Sequence, residues 1–138
     1  MKKVYFACSI RGGRDDSDAY SELVQIINKY AEVLTEIFTS KSLTTAGMDK
    51  PAGDIWSNDM RWIGEADVVI AEVTNPSLGV GYEIARAERM NKPILCLFRP
   101  SSGRSLSAMI AGSPTATTFE YENMVSAEHA ISAFLNNS

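Results

Sequence analysis

Short runs of consecutive apolar residues recur along the chain, each followed by a polar break and then by residues at helical spacing. VYFACS at 4–9, DVVIAEV at 67–73 and ILCLF at 94–98 are too short and too unbroken for amphipathic helices. Their β-branched and aromatic content predicts strands buried on both faces. A brief strand is expected at 33–35, and 117–121 alternates enough to be an edge strand. Between them, Tyr20, Leu23, Val24, Ile27 and Tyr30 recur at helical spacing behind the helix-starting Asp15, Asp16 and Ser17. Ile55, Asp59, Trp62 and Ala66 form one stripe of a helix over 54–66, and helix resumes at Tyr82 after the break TNPSLGVG. A short helix through Leu106, Ala108, Met109 and Ile110 ends near Gly112, and 125–135 closes the chain as a helix. Residues 37–53 show weak periodicity and read as a loop, a candidate lid over a site.

Strands alternating with helices along the whole length define an α/β protein. The expected architecture is one Rossmann-like or flavodoxin-like domain, with about five parallel strands and helices on both faces. Ligands on such sheets bind at the carboxyl ends of the strands, where the strand order switches. The loops after the first and third strands, SIRGGR and NPSLGVGYE, are expected to meet there.

At 138 residues the chain is long enough for one domain with a proper core. A net charge of −4 argues against broad binding to nucleic acid or an anionic membrane. It leaves room for a small phosphorylated ligand, which needs only a few local donors. Cys8 and Cys96 lie inside apolar runs and read as buried thiols, with no zinc or redox spacing. No signal peptide or bilayer-length apolar run is evident, so a reduced, cytoplasmic setting is expected. The lone His129 reads as a surface residue, which leaves no histidine triad and no metal site.

The candidate chemistry sits in the two glycine loops. Gly12 and Gly13 precede a helix start beside Arg11 and Arg14, and guanidinium forks suit a phosphate. Gly79 and Gly81 allow close backbone approach at the next helix start, where Glu83 is expected in the first turn. Asp59 places a carboxylate on the inward stripe of its helix, which is costly unless it is paired or used for proton transfer.

YFACSIRGGR, NDMRW, ADVVIAEVTNPSLGVGYE and ILCLFRPSSGRSLSAMI, in this order and spacing, resemble the 2′-deoxynucleoside 5′-phosphate N-hydrolases of the nucleoside 2-deoxyribosyltransferase superfamily. The resemblance implies one nucleoside deoxyribosyltransferase-like domain over 1–138. It implies cleavage of the N-glycosidic bond of a deoxynucleoside monophosphate, giving free base and 2-deoxyribose 5-phosphate. Glu83 then matches the nucleophile, Asp59 the second carboxylate and Tyr5 a tyrosine beside them. Ser9, Arg11, Gly12, Gly13, Ser77 and Gly79 match residues around the sugar and phosphate, and Ile10 an isoleucine that crowds a 2′-hydroxyl. Ser107 and Met109 match residues lent to the site of a neighbouring subunit, so a homodimer is implied. Ile37 stands where the family commonly has histidine, so no base preference carries over. The chemistry requires no metal or organic cofactor. Two other readings fit the same loops: a deoxyribosyltransferase that passes the sugar to a second base, and a nucleotide sensor without turnover.

Overall fold

The structure is a computed structural model that describes residues 1–10, 14–34 and 51–138. Arg11, Gly12 and Gly13, and the 35–50 segment with Ile37, lie outside the described residues. Five parallel strands, β1 (Lys3–Ala7), β2 (Glu32–Val33), β3 (Val68–Glu72), β4 (Ile94–Phe98) and β5 (Ala116–Glu120), form one sheet in the order β2-β1-β3-β4-β5. The described helices are α1 (Arg14–Asn28), α2 (Ala52–Glu65), α3 (Leu78–Arg89), α4 (Ala108–Ala111) and α5 (Met124–Asn136).

Side-chain alternation divides the sheet into two apolar layers. Val4, Phe6, Val68, Ile70, Leu95 and Leu97 face α1 and α5, where they meet Leu23, Ile27 and Ile131. Tyr5, Val69, Ala71 and Cys96 face α2 and α3, where they meet Ile63, Val80 and Ile84. Leu23, Ile27, Ile63 and Ile131 are fully buried, and each such side chain contributes about 1.5–3 kcal/mol. This double coverage is why β3 and β4 read as continuous apolar runs rather than alternating ones.

The helix starts differ from the sequence expectation in two informative places. Helix α2 begins at Ala52 rather than Asp54, with Pro51 as its N-cap at φ −56°. The fixed φ of Pro51 suits the entry to a helix, so Ala52 and Gly53, which read as loop, are already helix. Helix α3 begins at Leu78 rather than Tyr82, because the Ser77 hydroxyl accepts the Val80 N–H and caps the first turn. Gly79 and Gly81 are therefore helical residues, and Glu83 stands in the second turn. Tyr30 lies past the end of α1, 41% exposed, with its hydroxyl donated to Glu128. Cys8 and Cys96 are buried free thiols and His129 is exposed, as expected. Among the described residues no helix is long and apolar enough to cross a membrane.

Candidate active site

The strand order reverses between β1 and β3, so their carboxyl ends open a crevice. A cleft of about 770 Å³ occupies it. Cys8, Ser9 and Ile10 enter from the end of β1, Ile55, Trp56 and Asp59 from α2, and Ser77, Gly79 and Glu83 from the start of α3. The two loops expected to meet do so through a hydrogen bond of 3.1 Å from Asn75 Nδ2 to Ser9 Oγ. Among the described residues a Cβ placed on Gly81 would touch nothing, and one on Gly79 would only brush Ser77 Oγ at 3.8 Å. Gly79 leaves backbone bare at the rim of the cleft, and Gly81 lines the hollow on the other side of Ser77.

Tyr5 lies on the α2 and α3 side of β1, 3% exposed, and its hydroxyl donates to Glu83 Oε2. Asp59 comes within hydrogen-bonding reach of both groups. Burial pushes the Glu83 carboxyl up to about 8; the Tyr5 hydrogen bond opposes this and the neighbouring Asp59 adds to it. Burial raises the Tyr5 phenol far above its ordinary value, and the charges of Glu83 and Asp59 raise it further. Tyr5 therefore remains a proton-bearing donor at any working pH. With its value raised this far, Glu83 keeps a proton near neutral pH that an ordinary glutamate would have lost.

One cleft thus brings together Tyr5, Ser9, Ile10, Asp59, Ser77, Gly79 and Glu83. Ser107 and Met109 are not part of it. They line a separate hollow of about 200 Å³ with Asn75, Ser77 and Ser113, reached from the other side of Ser77. Both are exposed, Met109 at 83%. Sequence reasoning passed over the wall formed by Trp56 and Tyr82, whose side chains join through Trp56 Nε1 to the Tyr82 hydroxyl at 3.2 Å. The Arg86 guanidinium lies over the Trp56 ring, 6.0 Å from its centroid. Asn75 and Arg104 also went unnoticed, because their pairing links two loops that no local pattern relates.

The fold and cleft define a doubly wound α/β protein with a paired-carboxyl pocket at its switch point. The chain belongs to the nucleoside 2-deoxyribosyltransferase family, whose model matches residues 4–128. It is 52% identical over 119 residues to the 5-hydroxymethyl-dUMP N-hydrolase of Mus musculus, covering 85% of this chain and 69% of that one. The protein of the same name in Danio rerio is 50% identical over 122 residues, covering 87% and 85%. Among solved structures, a CMP N-glycosidase of Clostridium botulinum superposes with a TM-score of 0.68 at 19% identity, covering 96% of this chain and 99% of its own. That likeness is one of fold.

Proposed function

We propose that this protein hydrolyses the N-glycosidic bond of 2′-deoxynucleoside 5′-monophosphates to the free base and 2-deoxyribose 5-phosphate. The observation that carries the reading is the trio of Tyr5, Glu83 and Asp59 in a cleft rimmed by Ser9, Ser77 and the first turn of α3. The names of the animal relatives, at about half identity, support the same reaction class.

Departure of the base leaves positive charge on the sugar ring, and a carboxylate beside the anomeric carbon stabilises it. Glu83 attacks that carbon, the C–N bond breaks with its electron pair going to the base, and a glycosyl ester forms. Asp59 takes the proton that Glu83 holds at rest and gives it to the departing base. Water then cleaves the ester, losing its proton to Asp59 and returning both carboxyls to their starting state. Tyr5 holds Glu83 through its hydroxyl and favours the anionic form. Unpaired N–H groups at the start of α3, with Ser9, Ser77, Gly79 and the loop residues Arg11, Gly12 and Gly13, receive the 5′-phosphate. Binding that group fixes the sugar in register with Glu83. Ile10 crowds the 2′ position against ribose.

Leu78 at 97% exposure and Tyr82 at 50% present apolar surface at the cleft, and Met109 at 83% does so at the hollow on the other side of Ser77. A second copy covering it would form the homodimer and bring Ser107 and Met109 to the neighbouring site. Buried free thiols fit a reducing, cytoplasmic setting.

The test is a panel of deoxynucleosides and ribonucleosides, with and without 5′-phosphate, followed by chromatography. Deoxynucleoside monophosphates should release base and 2-deoxyribose 5-phosphate, and mass spectrometry of quenched enzyme should find the sugar phosphate on Glu83. Transfer to an added second base would favour the transferase, and tight binding without product would favour the sensor.

A further inference from the structure

Three loops at the carboxyl end of the sheet are joined by one chain of side-chain hydrogen bonds. Arg104, in the segment after β4, donates from Nη1 to Asn75 Oδ1 at 2.5 Å. Asn75, in the break after β3, donates from Nδ2 to Ser9 Oγ at 3.1 Å. Ser9, at the end of β1, is 6% exposed and lines the cleft that holds Glu83.

The direction of this chain is fixed by chemistry. A guanidinium has only donors, so the Asn75 atom that faces it must be the carbonyl oxygen. The amide nitrogen then faces Ser9 and can only donate. Ser9 Oγ accepts that bond, so its own proton must be given in another direction. Without Arg104 the Asn75 amide could rotate, present its oxygen to Ser9 and draw the Ser9 proton away from the cleft.

We propose that Arg104 is a positioning residue for the phosphate end of the substrate: it acts through Asn75 to keep the Ser9 hydroxyl a donor toward an anion. This rests on the hydrolase reading of the cleft. It adds to that reading a residue outside the cleft, and a polarity requirement at Asn75. An anion gains from a donor and loses from an acceptor, so the relay discriminates between phosphorylated and unphosphorylated ligands.

The experiment compares wild type with Arg104→Met, Arg104→Lys and Asn75→Asp on one deoxynucleoside and its 5′-monophosphate. Arg104 is exposed, so its variants should melt within about 2 °C of wild type. Arg104→Met should lower kcat/KM for the monophosphate about tenfold and change that for the nucleoside less than twofold. Arg104→Lys, which still donates to Oδ1, should recover most of the loss. Asn75→Asp is nearly isosteric and still accepts from Arg104, but it cannot donate to Ser9, so it should show the same phosphate-selective loss. Equal losses on both substrates, no loss on either, or a wild-type-like Asn75→Asp would overturn the relay. Absence of turnover in wild type would sink the hydrolase reading instead. Calorimetric titration with the monophosphate then decides the relay alone: about tenfold weaker binding by Arg104→Met supports it, and unchanged binding overturns it.

Discussion

Two glutamates at the same end of the sheet are drawn out of water and each holds a tyrosine hydroxyl, yet only one faces an open cleft. Glu72, the last residue of β3, points toward the α1 and α5 side and is 1% exposed. It accepts the Thr74 N–H at 2.8 Å, the Thr74 hydroxyl at 2.9 Å and the Tyr121 hydroxyl. Glu83 lies over the opposite face with Tyr5 as its donor, Asp59 against it and an open cleft in front. Burial raises both carboxyls. At Glu72 the bonds from Tyr121 and Thr74, with the nearby Arg99 charge, oppose that rise. At Glu83 an acidic neighbour reinforces it. A buried carboxylate whose lone pairs are filled by the protein becomes scaffold, and one whose lone pairs await a substrate becomes a reagent. The scaffold role is visible in what Glu72 holds. Thr74 Oγ1 accepts the Arg99 N–H at 2.9 Å, and the Arg99 guanidinium pairs with Asp16 of α1 at 2.7 Å.

The sharpest way to break the contrast is to neutralise each carboxyl in turn. Glu83→Gln keeps the shape and removes the proposed nucleophile. Turnover of a deoxynucleoside monophosphate should fall by about 10⁴-fold or more, about 5.5 kcal/mol in the barrier. Steady-state kinetics on the purified variant checks this, and activity within tenfold of wild type would remove Glu83 from the chemistry. Glu72→Ala should do the reverse. It leaves three buried donors unpaired and opens a void, so urea unfolding should report a loss of about 3–5 kcal/mol. The molecules that remain folded should keep turnover within a few-fold of wild type.

A smaller effect separates the two sites by pH. The folded Glu83 value, about 8, lies above its ordinary 4.5, so the folded protein holds this proton longer than the unfolded chain. Stability from this group is therefore full below about pH 4.5 and is lost as pH rises toward 8. Glu83→Gln should remove that slope and be the more stable protein at pH 8, by about 1–3 kcal/mol or roughly 3–10 °C in melting temperature. Melting curves of both proteins between pH 5 and 8.5 would show parallel lines if Glu83 were not held protonated by its surroundings.

How much of this was readable in advance follows from where each signal resides. β4 stands where its apolar run places it, because a strand covered on both faces writes itself into every residue. The start of α3 was displaced because glycines suggest a loop, whereas one serine hydroxyl on the Val80 N–H suffices to start the helix through them. Asp59 was legible as a carboxylate on an inward stripe, and Glu83 as a carboxylate near a helix start. Tyr5 was legible only through the family resemblance, since a tyrosine inside VYFACS looks like core, and most of it is. Glu72 carried a signal that went unused: a charge within a doubly buried strand needs several donors nearby. Its donors lie at Thr74 and Tyr121, and that second separation leaves no periodic trace.

The weakest expected effect tests whether the shell around Glu72 is complete. Tyr20 packs its ring edge-on against Phe6 with centroids 6.5 Å apart, and its hydroxyl is buried without a hydrogen-bond partner among the described residues. Burial, then the Glu72 charge, push that phenol above its ordinary range. The hydroxyl has lost its water and received nothing in return, so deleting it costs only a few ring-edge contacts. Tyr20→Phe should therefore leave stability unchanged or raise it by up to about 1 kcal/mol. Tyr121→Phe, which removes a donor from Glu72, should lower it by about 1–3 kcal/mol. Differential scanning calorimetry on the pair measures the difference directly. A loss above 1 kcal/mol in Tyr20→Phe would mean that a bound water joins this hydroxyl to Glu72. The scaffold carboxylate would then rest on a solvent molecule as well as on the protein, and its contrast with Glu83 would narrow.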